Sequence, residues 1–266
     1  MNSIVSKLDS LSINLVKSIK FIINNKKQLF LNFQKAIHGY HLVSKEPIKE
    51  SRWEELNTQI LDKSNCTVLN QASGSHTSGC DLTTQQMGNL SNKTSKIKNK
   101  KFGISSYRLG SVCDIQNPGN MNDIQNEINK KSDNFENYSL LLREEINKTT
   151  IKYKWLMLPK TLRILDHTQY IWNPMIGKKG PKKGLQVGWS TNTIDGCSMK
   201  ITFSMSSQLW INISLTNVIL DKYLIGEATH DFKKSKQLDF IDLHNLYNVS
   251  DTSSESSSII TTTRKT

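Results

Sequence analysis

An aspartate at a glycine-flanked turn is followed ten positions later by a serine, and two beyond that by a lysine. The segments are Gly74-Ser75-His76-Thr77-Ser78-Gly79-Cys80-Asp81-Leu82 and Gly88-Asn89-Leu90-Ser91-Asn92-Lys93-Thr94. A carboxylate and an ammonium held together are the minimal protein groups for metal-assisted hydrolysis of a phosphodiester. The carboxylate anchors a divalent cation that polarises the phosphate and activates a water; the lysine orients or deprotonates that water, or offsets the charge that develops. Mg²⁺ is the natural ion, because it is held by few carboxylates and keeps several of its waters.

Asp81 is expected at the start of one strand and Lys93 on the next, where a hairpin brings residues ten to twelve apart side by side. Ser91 and Lys93 then share a strand face, since side chains alternate with period two. Serine is no anchor for a hard cation, so a second acid has to come from elsewhere. Glu55 or its neighbour Glu54, on the preceding helix, is the expected source, and Glu127 the fallback. Lys96 offers a second lysine register. Ser75 and His76 are placed for phosphate or metal contact, and Arg108 for a neighbouring phosphate. The plain alternative has Asp81 capping a turn and Lys93 solvated on an edge strand.

Asp81, with its Gly79-Cys80-Asp81-Leu82 lead-in, and the run Leu90-Ser91-Asn92-Lys93-Thr94-Ser95-Lys96, backed by Ile104-Ser105-Ser106-Tyr107-Arg108-Leu109, resemble the PD-(D/E)xK nuclease superfamily. The resemblance is specifically to type II restriction endonucleases, in a Ser-x-Lys variant, and it covers about residues 50–110. The resemblance implies a central mixed sheet flanked by helices and Mg²⁺-dependent cleavage of double-stranded DNA. It also implies a homodimer, since cutting both strands of a symmetric site needs two copies of one site, and a cognate DNA methyltransferase in the same system. Asp81 and Glu55 would hold the metal, with Lys93 and Ser91 beside them. Ser91 stands where a Glu or Asp is usual, so a displaced Glu would complete the site.

These residues need elements to position them. Leu8, Leu11, Leu15, Ile19 and Ile22 make one apolar stripe, and Leu29, Phe30, Phe33, Ile37 and Tyr40 repeat it after Asn24–Lys27, which predicts two helices packed as a hairpin. Trp53 to Leu61 reads as a further helix with acids in its first turn. Leu90–Ile97 and Phe102–Leu109, separated by Lys98-Asn99-Lys100-Lys101, read as an antiparallel pair. A helix is expected at 121–131, and strands at Ile151–Leu158, Leu185–Ser190 and Ser198–Ser214. The pattern predicts an α+β chain: an N-terminal helical segment at 1–48, a nuclease-like core at 49–248 with a β-rich DNA-recognition part at about 150–220, and a disordered Ser/Thr-rich tail at 249–266.

The 266 residues carry 35 Lys+Arg against 23 Asp+Glu, a net charge of +12, which favours a polyanionic partner. Lys178-Lys179-Gly180-Pro181-Lys182-Lys183-Gly184 sets four lysines in one loop with no acid, suited to phosphate contact. The four cysteines form no Cys-x-x-Cys pair, against a paired-cysteine zinc site. No Gly-x-Ser-x-Gly elbow and no phosphate-binding Gly-Lys-Ser/Thr loop occurs. With no apolar run near the length of a membrane span and no signal peptide, a cytoplasmic protein without a membrane partner is expected. Two other functions fit the same composition: a non-catalytic DNA- or RNA-binding protein, and a viral or parasite structural interaction protein.

Overall fold

The computed structural model describes residues 2–71, 80–204, 206–215, 218–235, 237–239 and 241–243, with side chains from residue 15 onward and without those of 218 and 219. The fold is mixed α+β. It opens on helices α1 (Asn2–Val43) and α2 (Glu50–Asp62) and strands β1 (Val68–Gln71), β2 (Leu82–Thr84), β3 (Gly88–Lys96) and β4 (Lys101–Arg108). Helix α3 (Met121–Ser132) leads into β5 (Asn137–Asn147) and β6 (Thr150–Pro159). The chain closes with β7 (Trp172–Ile176), β8 (Gln186–Thr191), β9 (Cys197–Thr202), β10 (Gln208–Ser214) and β11 (Leu224–Asp231).

The strands form two sheets, ordered β1-β2-β3-β5-β6-β11 and β4-β10-β9-β8-β7. The first is mixed: β3 pairs parallel with β5 through the α3 crossover, and its other pairs are antiparallel. Its two faces feed two cores. Tyr153, Trp155 and Met157 alternate inward on β6 toward Phe33 and Ile37 of α1 and Trp53 and Ile60 of α2. Tyr138, Leu140 and Leu142 of β5 face the opposite way, toward β4, α3 and the second sheet. The layers are therefore helices, mixed sheet, and second sheet with α3.

Three expectations change. The N-terminal segment is one 42-residue helix, not a hairpin of two. Asn24–Lys27 contains neither Pro nor Gly, and Asn25 Nδ2 donates to Phe21 O at 3.0 Å within the helix, so nothing there breaks it. β3 and β4 do not pair as a hairpin ladder. Their backbone pairing is confined to the Lys98–Lys101 bridge, where Asn99 and Lys100 take φ +52° and +57°, with one further bond from Gly103 N–H to Ser95 Oγ at 3.2 Å; β4 then joins β10 in the second sheet. Phe102, Ile104 and Tyr107 are buried in the core between the sheets, and that burial draws β4 away from β3. Third, the Ser198–Ser214 stretch is two strands, β9 and β10, paired with each other. The tail at 249–266 lies outside the described residues.

Candidate active site

The β2–β3 hairpin pairs Leu82 with Leu90 and Thr84 with Gly88. Asp81 extends it by one bond, its N–H donating to Leu90 O at 2.9 Å. Beyond Leu90, β2 no longer covers that edge of β3, and the Asp81 carboxylate takes over. Its Oδ2 accepts the Asn92 main-chain N–H at 2.6 Å and the Ser91 hydroxyl at 3.3 Å. Ser91 is buried. It supports the aspartate from the position where the resemblance usually places an acid.

Lys93 Nζ lies 2.8 Å from Glu50 Oε1 and 3.6 Å from Asp81 Oδ2, and it donates to Asn92 O at 2.8 Å. Only 13 % of its side chain is exposed. Burial works to lower its pKa, but Glu50 and then Asp81 more than offset this and hold the ammonium above its ordinary 10.5. Lys93 is therefore a fixed cation, a donor and charge neutraliser rather than a base at neutral pH.

Glu50 and Glu54 are four apart on α2 and so share one helix face. Burial first, then the charges of Asp81 and Glu50, push the Glu54 carboxyl above its ordinary 4.5, with Lys93 opposing. Lys93 thus pairs with Glu50 and lies near Asp81, and Glu54 is close enough to feel all three charges. Glu55, the acid first expected here, is exposed and held by Arg52, whose Nη1 donates to both its oxygens at 3.0 and 2.8 Å. Its neighbour Glu54 is the acid that feels the Asp81 charge. Glu127 pairs with Lys131 on α3.

The other sequence-predicted residues lie elsewhere. Lys96 pairs with Glu145 on the exposed end of the sheet. Arg108 is exposed at the end of β4. Lys179, Lys182 and Lys183, with Lys178, are exposed around a turn at Gly180–Lys182 that joins β7 to β8. Ser75 and His76 lie outside the described residues. Glu50 was missed by sequence reasoning, although its four-residue spacing from Glu54 was a readable signal.

Comparison of the chain with protein families, curated proteins and solved structures finds no match. No described helix is long and apolar enough to cross a membrane.

The donor set suits a hard divalent cation. Asp81 Oδ1 accepts no hydrogen bond among the described residues, and the charges of Asp81 and Glu50 add to burial in pushing Glu54 up, a repulsion that a cation would relieve. Among the described residues no three His, Cys, Asp or Glu side chains are gathered into a ready metal cage.

Proposed function

We propose that this chain is a Mg²⁺-dependent, sequence-specific endonuclease of the restriction type, acting on double-stranded DNA as a homodimer. The observation that carries the reading is the assembly of Asp81, Glu54 and Glu50 around Lys93 at the uncovered edge of β3. The mixed sheet, with α2 on one face and the α3 crossover returning β5 parallel to β3, supports a restriction-endonuclease-like core.

In this reading Asp81 and Glu54 hold the ion. When bound, Mg²⁺ supplies the Lewis acidity that polarises the phosphate and activates water. Ser91 and the Asn92 N–H fix the Asp81 carboxylate in one orientation, so no reorganisation is needed when charge develops. Lys93 stays protonated and places its N–H groups and its charge beside the anionic centre. Glu50 maintains that charge. The lysines of the β7–β8 turn bind the phosphate backbone and carry no sequence information themselves.

The test is incubation of the purified protein with unmethylated plasmid and Mg²⁺. Discrete fragments, abolished by EDTA and by Asp81→Ala, are expected. No cutting of any duplex by the parent overturns the assignment. Salt-sensitive binding without cutting would select the second reading, a non-catalytic nucleic-acid-binding protein, which rests on the +12 charge and the exposed lysine turn.

A further inference from the structure

We propose that Asn57 and Asn92 form a buried clamp that sets the position of α2 on β3 and so holds Glu54 and Glu50 against Asp81 and Lys93. This rests on the reading of those four residues as one site.

Asn92 is the residue through which the parts of the site meet. Its main-chain N–H binds Asp81 Oδ2 at 2.6 Å, and its carbonyl accepts Lys93 Nζ at 2.8 Å. Its side chain points to the helical side of the sheet, where Oδ1 accepts Asn57 Nδ2 at 2.7 Å. Asn57 follows Glu50 by seven residues and Glu54 by three, so the three share one face of α2. Both asparagines are 0 % exposed.

Besides this pair and the bond that Trp53 Nε1–H donates to Ser139 O at 3.1 Å, the buried face of α2 is apolar, with Ile60 and Leu61 entering the core beneath it. Apolar burial is non-directional and tolerates small slides and rotations of a helix. A short amide hydrogen bond has a fixed length and direction, and does not. The pair is also half-satisfied. Asn57 Oδ1 and Asn92 Nδ2 have no partner among the described residues. A buried donor and acceptor left unpaired make such a pair a poor source of stability compared with two apolar side chains of similar size. Its contribution is therefore to register: it fixes where two carboxylates sit relative to the aspartate and lysine of another element.

The variant Asn57→Leu/Asn92→Leu separates register from stability. Two quantities are measured: urea unfolding and Mg²⁺ binding by calorimetry. In the double variant the urea midpoint is expected to be no lower than in the parent, and Mg²⁺ affinity should fall about tenfold or more. A folded double variant that binds Mg²⁺ as tightly as the parent overturns the clamp. A second measurement needs no variant: the side-chain amide protons of Asn57 in the parent should exchange slowly and show coupling across the bond to Asn92. Free exchange with solvent overturns the clamp as well. A parent that neither binds Mg²⁺ nor cuts DNA would sink the nuclease reading alone, because the amide exchange still decides the clamp.

Discussion

Lys93 and Glu50 are joined by a 2.8 Å ion pair between a strand and a helix whose residues lie 43 positions apart in the chain. The pair decides what the lysine can do. With Asp81 also 3.6 Å away, Lys93 sits in a field that keeps it charged, which rules it out as the proton acceptor at neutral pH and leaves it as a donor.

Glu50→Gln removes that counter-charge while keeping an acceptor. The Lys93 pKa should fall, and the variant should lose about 1.5–3 kcal/mol, the range for hydrogen bonds to charged groups. The sign follows from linkage. A lysine whose folded pKa is raised contributes stability that is present below its ordinary 10.5 and lost as pH rises through the folded value. Alkaline unfolding should therefore begin at lower pH in Glu50→Gln than in the parent. Identical alkaline limbs would show that Glu50 does not hold the lysine.

Much of this arrangement was legible in the sequence, and the parts that were not share a physical reason. The Asp81–Lys93 proximity followed from hairpin geometry, and α2 from its apolar face. The identity of the helix acid did not follow, because Glu54 and Glu55 are adjacent, and only the rotation of α2 on the sheet turns one toward Asp81 and the other toward Arg52. The separation of β3 from β4 was hidden because a lysine-rich turn fits a hairpin as well as a corner between sheets. The uninterrupted α1 was hidden because the polar Asn24–Lys27 stretch resembles a break although each residue tolerates a helix.

Asp81→Asn should abolish cleavage and leave the fold intact. The amide oxygen still accepts the Asn92 N–H and the Ser91 hydroxyl, while the charge a cation requires is gone. Asp81→Ala loses both and should cost about 1–3 kcal/mol more, the desolvation penalty of an unpaired N–H. Urea midpoints of the two variants, with cleavage assays beside them, separate the roles. Equal destabilisation would show that the carboxylate does not cap the edge of β3.

Glu54→Gln and Glu55→Gln should differ sharply. The first removes a proposed metal ligand and should abolish cleavage; the second touches an exposed pair with Arg52 and should cut at parental rates. Glu54 has a raised pKa, so its charge opposes folding above the ordinary 4.5, and Glu54→Gln should be up to about 1 kcal/mol more stable at neutral pH without metal. Loss of cleavage in Glu55→Gln with retention in Glu54→Gln would reverse the assignment.

His41 should make the fold acid-labile. Its Nδ1 lies 2.8 Å from Ser44 O, so Nδ1 carries the proton, and Nε2 accepts from the Tyr153 hydroxyl at 3.1 Å. That hydroxyl in turn accepts the Ile48 N–H just before α2. His230 stacks on His41 at 4.6 Å, with His38 5.9 Å from His230. Asp231 beside His230 raises the pKa of that ring but does not prevent its net lowering. Burial, then the two neighbouring histidines, lower His41 to about 4, against the pull of the Ser44 carbonyl. A depressed histidine pKa means that stability is lost as pH falls from about 6.5 to about 4, by at most about 3 kcal/mol for this group. Thermal melts across that window should fall steeply in the parent and less in His41→Gln. Parallel curves would place the acid sensitivity elsewhere.

The lysines of the β7–β8 turn should govern affinity without touching stability. Lys178, Lys179, Lys182 and Lys183 are all exposed, and no ion pair engages them among the described residues. Replacing all four by Ser removes charge from a turn that buries nothing, so the melting temperature should stay within about 2 °C, as expected for surface changes within about 0.5 kcal/mol. Each phosphate that the protein no longer neutralises should reduce the slope of log K against log salt by about 0.9. The quadruple variant should therefore bind a non-specific duplex with a slope shallower by roughly 2 to 4, if two to four of the lysines reach phosphates. Fluorescence anisotropy at several salt concentrations gives the slope directly. An unchanged slope would move the DNA surface away from this turn, and leave the Asp81–Lys93 cluster to be tested by cleavage alone.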